Sequence, residues 1–145
     1  MIKKILTEDF IRTKVSCSDW KEAIHEGILP LLEKSYVEKS YEEAILRNFE
    51  KHGTYMVIAP GMVLSHARPE DGVNKLGMSL INLEEGVPFG HDLHDPVYLV
   101  ITLATTDNTI HLEALKELMG ILMDTEKYET LLHSKDKEEI LAVIG

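Results

Sequence analysis

Residues 97–104 read VYLVITLA, and this stretch decides the architecture. A strand with one wet face alternates apolar and polar residues, whereas this run is almost unbroken, as expected of a central strand covered on both sides. Asp95-Pro96 precedes it as a turn signal, and the polar loop TTDN follows at residues 105–108. Beyond that loop Leu112, Leu115, Met119 and Leu122 recur at helical spacing, and shorter helical patterns run from Glu126 to Leu132 and from Lys137 to Ile144.

Upstream lie more strands. Lys75 to Leu83 reads as one, closed by the turn signal EEGVPFG, and Met62 to Ser65 reads as another. The latter follows a Pro60-Gly61 turn, itself preceded by the β-forming stretch TYMVIA at residues 54–59. Two helices come before these strands. In the first, Trp20, Ile24, Ile28 and Leu31 form one face, Ser18 is the expected N-cap, and Pro30 is expected to kink or end the helix. In the second, Ser40 and Glu43 have capping-box spacing, Tyr41, Ile45 and Phe49 share a face, and Gly53 ends it. Helices, then strands, then helices predict an α/β fold: a single layered sandwich over residues 1–145, with a mixed sheet flanked by helices.

Bulk properties narrow the function. The 145 residues have the length of one domain, 44% of them are apolar, and no apolar run approaches the span of a bilayer. The opening MIKKILTEDFI lacks the form of a secretory signal, and one cysteine, Cys17, forms no internal disulfide, so a soluble cytoplasmic protein is expected. A formal net charge of −10 argues against nucleic acid and suits an encounter with a basic protein.

Chemistry centres on the seven histidines. His25 and His52 fall within or at the end of helices among charged residues, His133 sits in a late surface-like segment, and all three are read as solvated. His91, His94 and Asp95, in GHDLHDP, could hold a metal, but the segment lacks the i, i+4 helical geometry of common zinc signatures and turn chemistry explains it more simply, so no metal is assigned. His66 and His111 differ, because one ends the strand Met62–Ser65 and the other opens the helix after VYLVITLA. Ligands of open α/β sheets collect beyond the carboxyl ends of strands, so the two rings can face one pocket. A neutral imidazole is a nucleophile near pH 7, and its attack on a phosphoryl group makes an anion that a second imidazole and helix N-terminal amides around 109–112 can stabilise. No cofactor is needed for that chemistry. The competing reading is structural, with His66 bonded to backbone and His111 unpartnered.

The run HGTYMVIAPGMVLSHARPEDGVNKLGMSLINL at residues 52–83, with its APG and HARPEDGV, resembles the phosphorylation-site region of enzyme IIA proteins of the bacterial sugar phosphotransferase system, mannitol/fructose class, and is most similar to ascorbate-type members. HDPVYLVITLA resembles the Asp-Pro and apolar strand of that family, TTDNTIHLEALKELMGIL its second-histidine segment, and DWKEAIHEGILPLLEKSYV and SYEEAILRNFEKHG its early helices. The resemblance implies a five-stranded mixed sheet, His66 as phosphoryl acceptor and His111 as its support. It further implies the phosphocarrier HPr as donor, a cysteine of a IIB component as acceptor, and a membrane IIC component that imports the sugar, ascorbate or a related pentitol or sugar acid. A regulatory module of the same fold, answering to its phosphorylation state, is the alternative. Two departures stand out. Ser65 occupies the position where the family usually has proline, and its hydroxyl is expected to bond locally or to the phosphoryl group. Arg47 lies in the helix where mannitol-type members place an arginine, while Arg68, two residues past His66, is the nearer candidate to hold phosphate oxygens. The hollow around His66 is expected to be shallow, open and rimmed by acids.

Overall fold

The computed structural model describes residues 1–145. A short helix α1 (Ile2–Ile5) and a 3-10 turn lead into strand β1 (Ile11–Val15), followed by helices α2 (Trp20–Glu33) and α3 (Lys39–His52). Strands β2 (Val57–Ala59), β3 (Met62–Ser65), β4 (Gly77–Val87) and β5 (Val97–Ala104) come next, then helices α4 (Asn108–Leu122), α5 (Thr125–His133) and α6 (Lys137–Ile144). The five strands form one sheet in the order β1-β4-β5-β3-β2. β1 runs parallel to β4 and β3 parallel to β5, while β4–β5 and β2–β3 are antiparallel, so the sheet is mixed.

The VYLVITLA strand sits third of five, and all of its residues are buried except Tyr98, which is half-buried. Side chains of successive residues leave a strand on opposite faces. Ser79 of β4 points to α2, where its hydroxyl donates to the Gly27 carbonyl, and Asn82, three residues on, points to α5, where its amide donates to the carbonyls of Leu131 and Ser134. Both faces of the sheet are therefore covered, which explains why β5 has no polar alternation. Trp20, Phe49 and Phe89 meet at ring distances of 5.3–6.3 Å and tie α2 and α3 to the loop after β4.

The helix α2 lies against β5 at Gly27. A Cβ there would stand 2.7 Å from Val100 Cγ1 and 3.3 Å from Thr102 Oγ1, so only glycine allows this approach. Gly27→Val is expected to cost about 1–3 kcal/mol or more through overpacking, read as a lower urea midpoint at unchanged slope.

Several boundaries depart from expectation. Asp19, not Ser18, caps α2 by accepting from the Glu22 amide at 2.8 Å, while the Ser18 hydroxyl donates to the Glu22 carboxylate. Pro30 neither ends α2 nor stops it early, since the helix continues to Glu33. α3 starts at Lys39 with Glu38 in the cap position and no side-chain cap, because the Ser40 hydroxyl donates instead to the Asp71 carbonyl. Gly53 does end α3, at φ 76°, a conformation that costs glycine little. β2 begins at Val57 rather than Thr54. β4 starts at Gly77 and runs four residues past Leu83 into the EEGVPFG segment, pairing Val87 with Val97 after a register shift. Gly86 permits that extension, since a Cβ there would stand 2.7 Å from the Pro96 ring.

Candidate functional site

Parallel pairing of β3 with β5 puts Ser65 beside Thr102, so both strands end at the same edge of the sheet. The chain leaves β3 directly into His66. It leaves β5 through Thr105 and enters α4, where Asp107 caps the helix by accepting from the Ile110 amide at 2.8 Å. His111 lies on the first turn of α4. Its ring centroid is 5.2 Å from that of His66, the planes tilted by 48°. Residues 45 apart in sequence thus meet because two parallel strands end together.

The two rings line a hollow of about 190 Å³ together with Asn48, Tyr55, Arg68, Thr105 and Asn108. His66 Nδ1 lies 3.0 Å from the Leu64 carbonyl oxygen. A carbonyl only accepts, so Nδ1 carries the hydrogen and the neutral ring keeps its lone pair on Nε2. The backbone bond of the structural reading is therefore present, and the tautomer it fixes is also the one the chemical reading requires. Burial, with a smaller contribution from the proximity of His66, lowers the pKa of His111, which keeps its ring neutral at pH 7. Tyr55 stands edge-on to His66 at 6.2 Å, and burial pushes its phenol pKa up.

Other expectations are corrected. No acid lines the hollow, so the acidic rim is absent; the neighbouring Asp71 carboxylate accepts from the Arg68 amide at 3.0 Å and lies 3.6 Å from Arg68 Nε. The amides at the start of α4 are not all free for an anion, because Asp107 already takes that of Ile110. Ser65 is fully buried and its hydroxyl has no partner, so it neither bonds locally nor reaches the hollow. Arg68 lines the hollow, whereas Arg47 lines an adjoining cavity of about 840 Å³ with Lys51, His52 and Arg68. Arg47 is therefore not brought to the two histidines.

The remaining histidines have other surroundings. His25 pairs with Glu42 at 3.0 Å, joining α2 to α3, and His133 stands edge-on to Tyr98 at 5.0 Å. His91 Nδ1 accepts from the amides of Leu93 and His94, its ring stacks on His94 at 4.4 Å, and the Asp95 carboxylate accepts from the amides of Phe89, Gly90 and His91. These atoms build a turn at the opposite end of β5 from the hollow.

Sequence reasoning did not single out Asn48 and Tyr55 for the site. They arrive from α3 and the turn after it, and no motif spacing marks them.

A family model described as phosphoenolpyruvate-dependent sugar phosphotransferase system, EIIA 2, matches residues 4–145. The ascorbate-specific phosphotransferase EIIA component of Escherichia coli strain K12 is 37% identical over 135 residues, 92% of this chain and 88% of the relative. Among solved structures, the mannitol-specific cryptic phosphotransferase enzyme IIA of Escherichia coli superposes with a TM-score of 0.89 at 36% identity, covering 99% of this chain and 97% of that one. The mannitol enzyme IIA of the same organism, solved in complex with phosphorylated enzyme IIB, gives a TM-score of 0.84 at 26% identity, covering 97% and 98%.

Proposed function

This chain belongs to the EIIA type 2 family of the phosphoenolpyruvate-dependent sugar phosphotransferase system, and from that premise we propose that His66 is its phosphoryl acceptor and His111 the group that supports the transfer. The observation that supports this most directly is the bond from His66 Nδ1–H to the Leu64 carbonyl, which leaves Nε2 free in a hollow shared with a neutral imidazole.

The Nε2 lone pair attacks phosphorus on the phosphohistidine of HPr. A new N–P bond forms as the donor's N–P bond breaks, and the electron pair returns to the donor imidazole. The His66 hydrogen stays on Nδ1, held by Leu64, so the phosphorylated ring carries positive charge and remains a good leaving group. A cysteine thiolate of a IIB component then attacks phosphorus, an S–P bond forms, and Nε2 departs with its lone pair. Throughout, His111 donates an N–H to the phosphoryl oxygens, and Arg68 at the mouth meets their charge. Because transfer of this kind depends on position and charge, such a small set of groups suffices.

The partners in this reading are HPr, a IIB component, and through it the membrane IIC component, which places the chain in the cytoplasm. No helix is long and apolar enough to cross a membrane. The ascorbate-specific names of relatives at 35–37% identity favour ascorbate or a related sugar acid as the cargo.

The test is reconstitution. Incubated with phosphoenolpyruvate, enzyme I and HPr, the chain is expected to gain one phosphoryl group that is acid-labile and base-stable, and an ascorbate-type IIB is expected to remove it onto cysteine. A folded chain that gains no label refutes the assignment. A labelled chain whose phosphate no IIB cysteine accepts, but whose binding to a transporter or regulator follows its label, identifies the regulatory module instead.

A further inference from the structure

Tyr41 is completely buried in α3, yet its hydroxyl reaches the chain on both sides of the site. It accepts from the Ala67 amide at 3.0 Å and donates to the Leu103 carbonyl at 2.7 Å. Ala67 immediately follows His66. Leu103 is the penultimate residue of β5, just before the loop that delivers His111.

The paired register of β3 and β5 ends at Ser65 and Thr102. One residue further, His66 must leave the sheet to enter the hollow, so the backbone of residue 67 and that of residue 103 no longer bond each other directly. The Tyr41 hydroxyl stands between them and bridges the gap as one more rung. A rung supplied by a side chain of α3 fixes how far apart the two strand ends open, and hence how far apart the two imidazoles stand. The same helix contributes Asn48 to the hollow. Burial pushes the Tyr41 phenol up to about 12, so it remains a donor throughout the working range.

We propose that Tyr41 is a positioning residue for phosphoryl transfer: its hydroxyl sets the separation of His66 and His111 by joining the backbone after the first to the strand before the second. The role rests on His66 being the acceptor, and the tests are chosen to separate the two. A conformation one ångström from the productive one can cost up to about a hundredfold in rate.

The experiment compares full-length Tyr41→Phe with the parent and with Ile140→Val, a trim in the core of α6 remote from the site. Phenylalanine keeps the ring and removes only the hydroxyl. Phosphoryl uptake from phosphorylated HPr is expected to slow tenfold to a hundredfold in Tyr41→Phe, while Ile140→Val keeps the parental rate. In the unphosphorylated protein, His111 of Tyr41→Phe is expected to titrate closer to an ordinary histidine by NMR, because moving the rings apart relieves the His66 proximity that adds to burial in lowering it, and the Ala67 amide to exchange faster. A parental rate with a parental His111 titration in Tyr41→Phe overturns the proposal, as does an equal slowing in Ile140→Val, which would make the effect one of stability. The NMR titration needs no phosphate, so it shows whether Tyr41 sets the separation of the two rings independently of whether His66 proves to be the acceptor.

Discussion

His66→Ala is expected to take up no measurable phosphoryl group from phosphorylated HPr, a loss of at least about 10⁴-fold in rate, comparable to removal of the nucleophile in other covalent enzymes. Mass spectrometry of the intact chain and acid lability of the label provide the check. Nothing in the hollow can replace the missing nitrogen. His111 is half-buried across the hollow, and in the transfer proposed above it donates a hydrogen to the phosphoryl group instead of attacking it. Tyr55 is protonated near pH 7, with burial raising its phenol. His66→Gln, close in size, is expected to lose activity equally. Both variants should unfold within about 0.5 kcal/mol of the parent, since His66 is only partly buried and its one hydrogen bond is local. A label that survives either substitution would place the acceptor elsewhere.

His111→Ala is expected to be folded and still labelled, but about 10²–10³-fold slower, the usual effect of losing one preorganised donor to a developing anion. Its pH behaviour gives a second check. Burial, and then the neighbouring His66, depress the pKa of His111 in the folded chain below its unfolded value of about 6.5. The unfolded chain therefore binds the proton more readily. The parent should lose stability from this group as pH falls below about 6.5, and lose nothing from it above. His111→Ala should lack that part of the acid sensitivity in urea unfolding at pH 5.5 against pH 7.5. Phosphorylation of His66 reverses the electrostatics, because a phosphoryl anion now faces the ring. His111 in the phosphorylated protein is expected to titrate above the unphosphorylated value by NMR, and no upward movement would mean that it does not face the phosphoryl group.

The parts of the fold visible in the sequence were those governed by local pattern. VYLVITLA appeared as a doubly covered strand with its observed ends, and the apolar stripe after it appeared as a helix. Other features answered to distant contacts. IRTKV at 11–15 interleaves two cations with its apolar residues and was not marked as a strand; it becomes β1 because β4 offers a parallel edge and the Asn82 side chain accepts from the Lys14 amide. Ser40 had the spacing of a cap but was drawn away to Asp71, thirty-one residues on. β4 outran its turn signal because Gly86 let the strand pass Pro96.

The site divided in the same way. His66 and His111 could be placed at element ends from pattern, and one pocket for both followed once β3 and β5 were taken to end together. Arg68 was found by closeness to His66. Arg47 and Ser65 were misplaced because helix rotation and strand facing decide where they point: Arg47 turns to the neighbouring cavity, and Ser65 turns to the α2 face beside Thr102. Tyr41 read as one of three apolar anchors on a helix. Its hydroxyl meets residues 26 and 62 positions away, a distance no local spacing reveals.

Asp107 has one further effect. By taking the Ile110 amide with the chain's own carboxylate, it sets a negative charge at the end of α4 and weakens the berth that an uncapped helix would offer inorganic phosphate. For the carrier proposed above, this favours a hollow that takes the group by transfer to nitrogen over one that collects free phosphate.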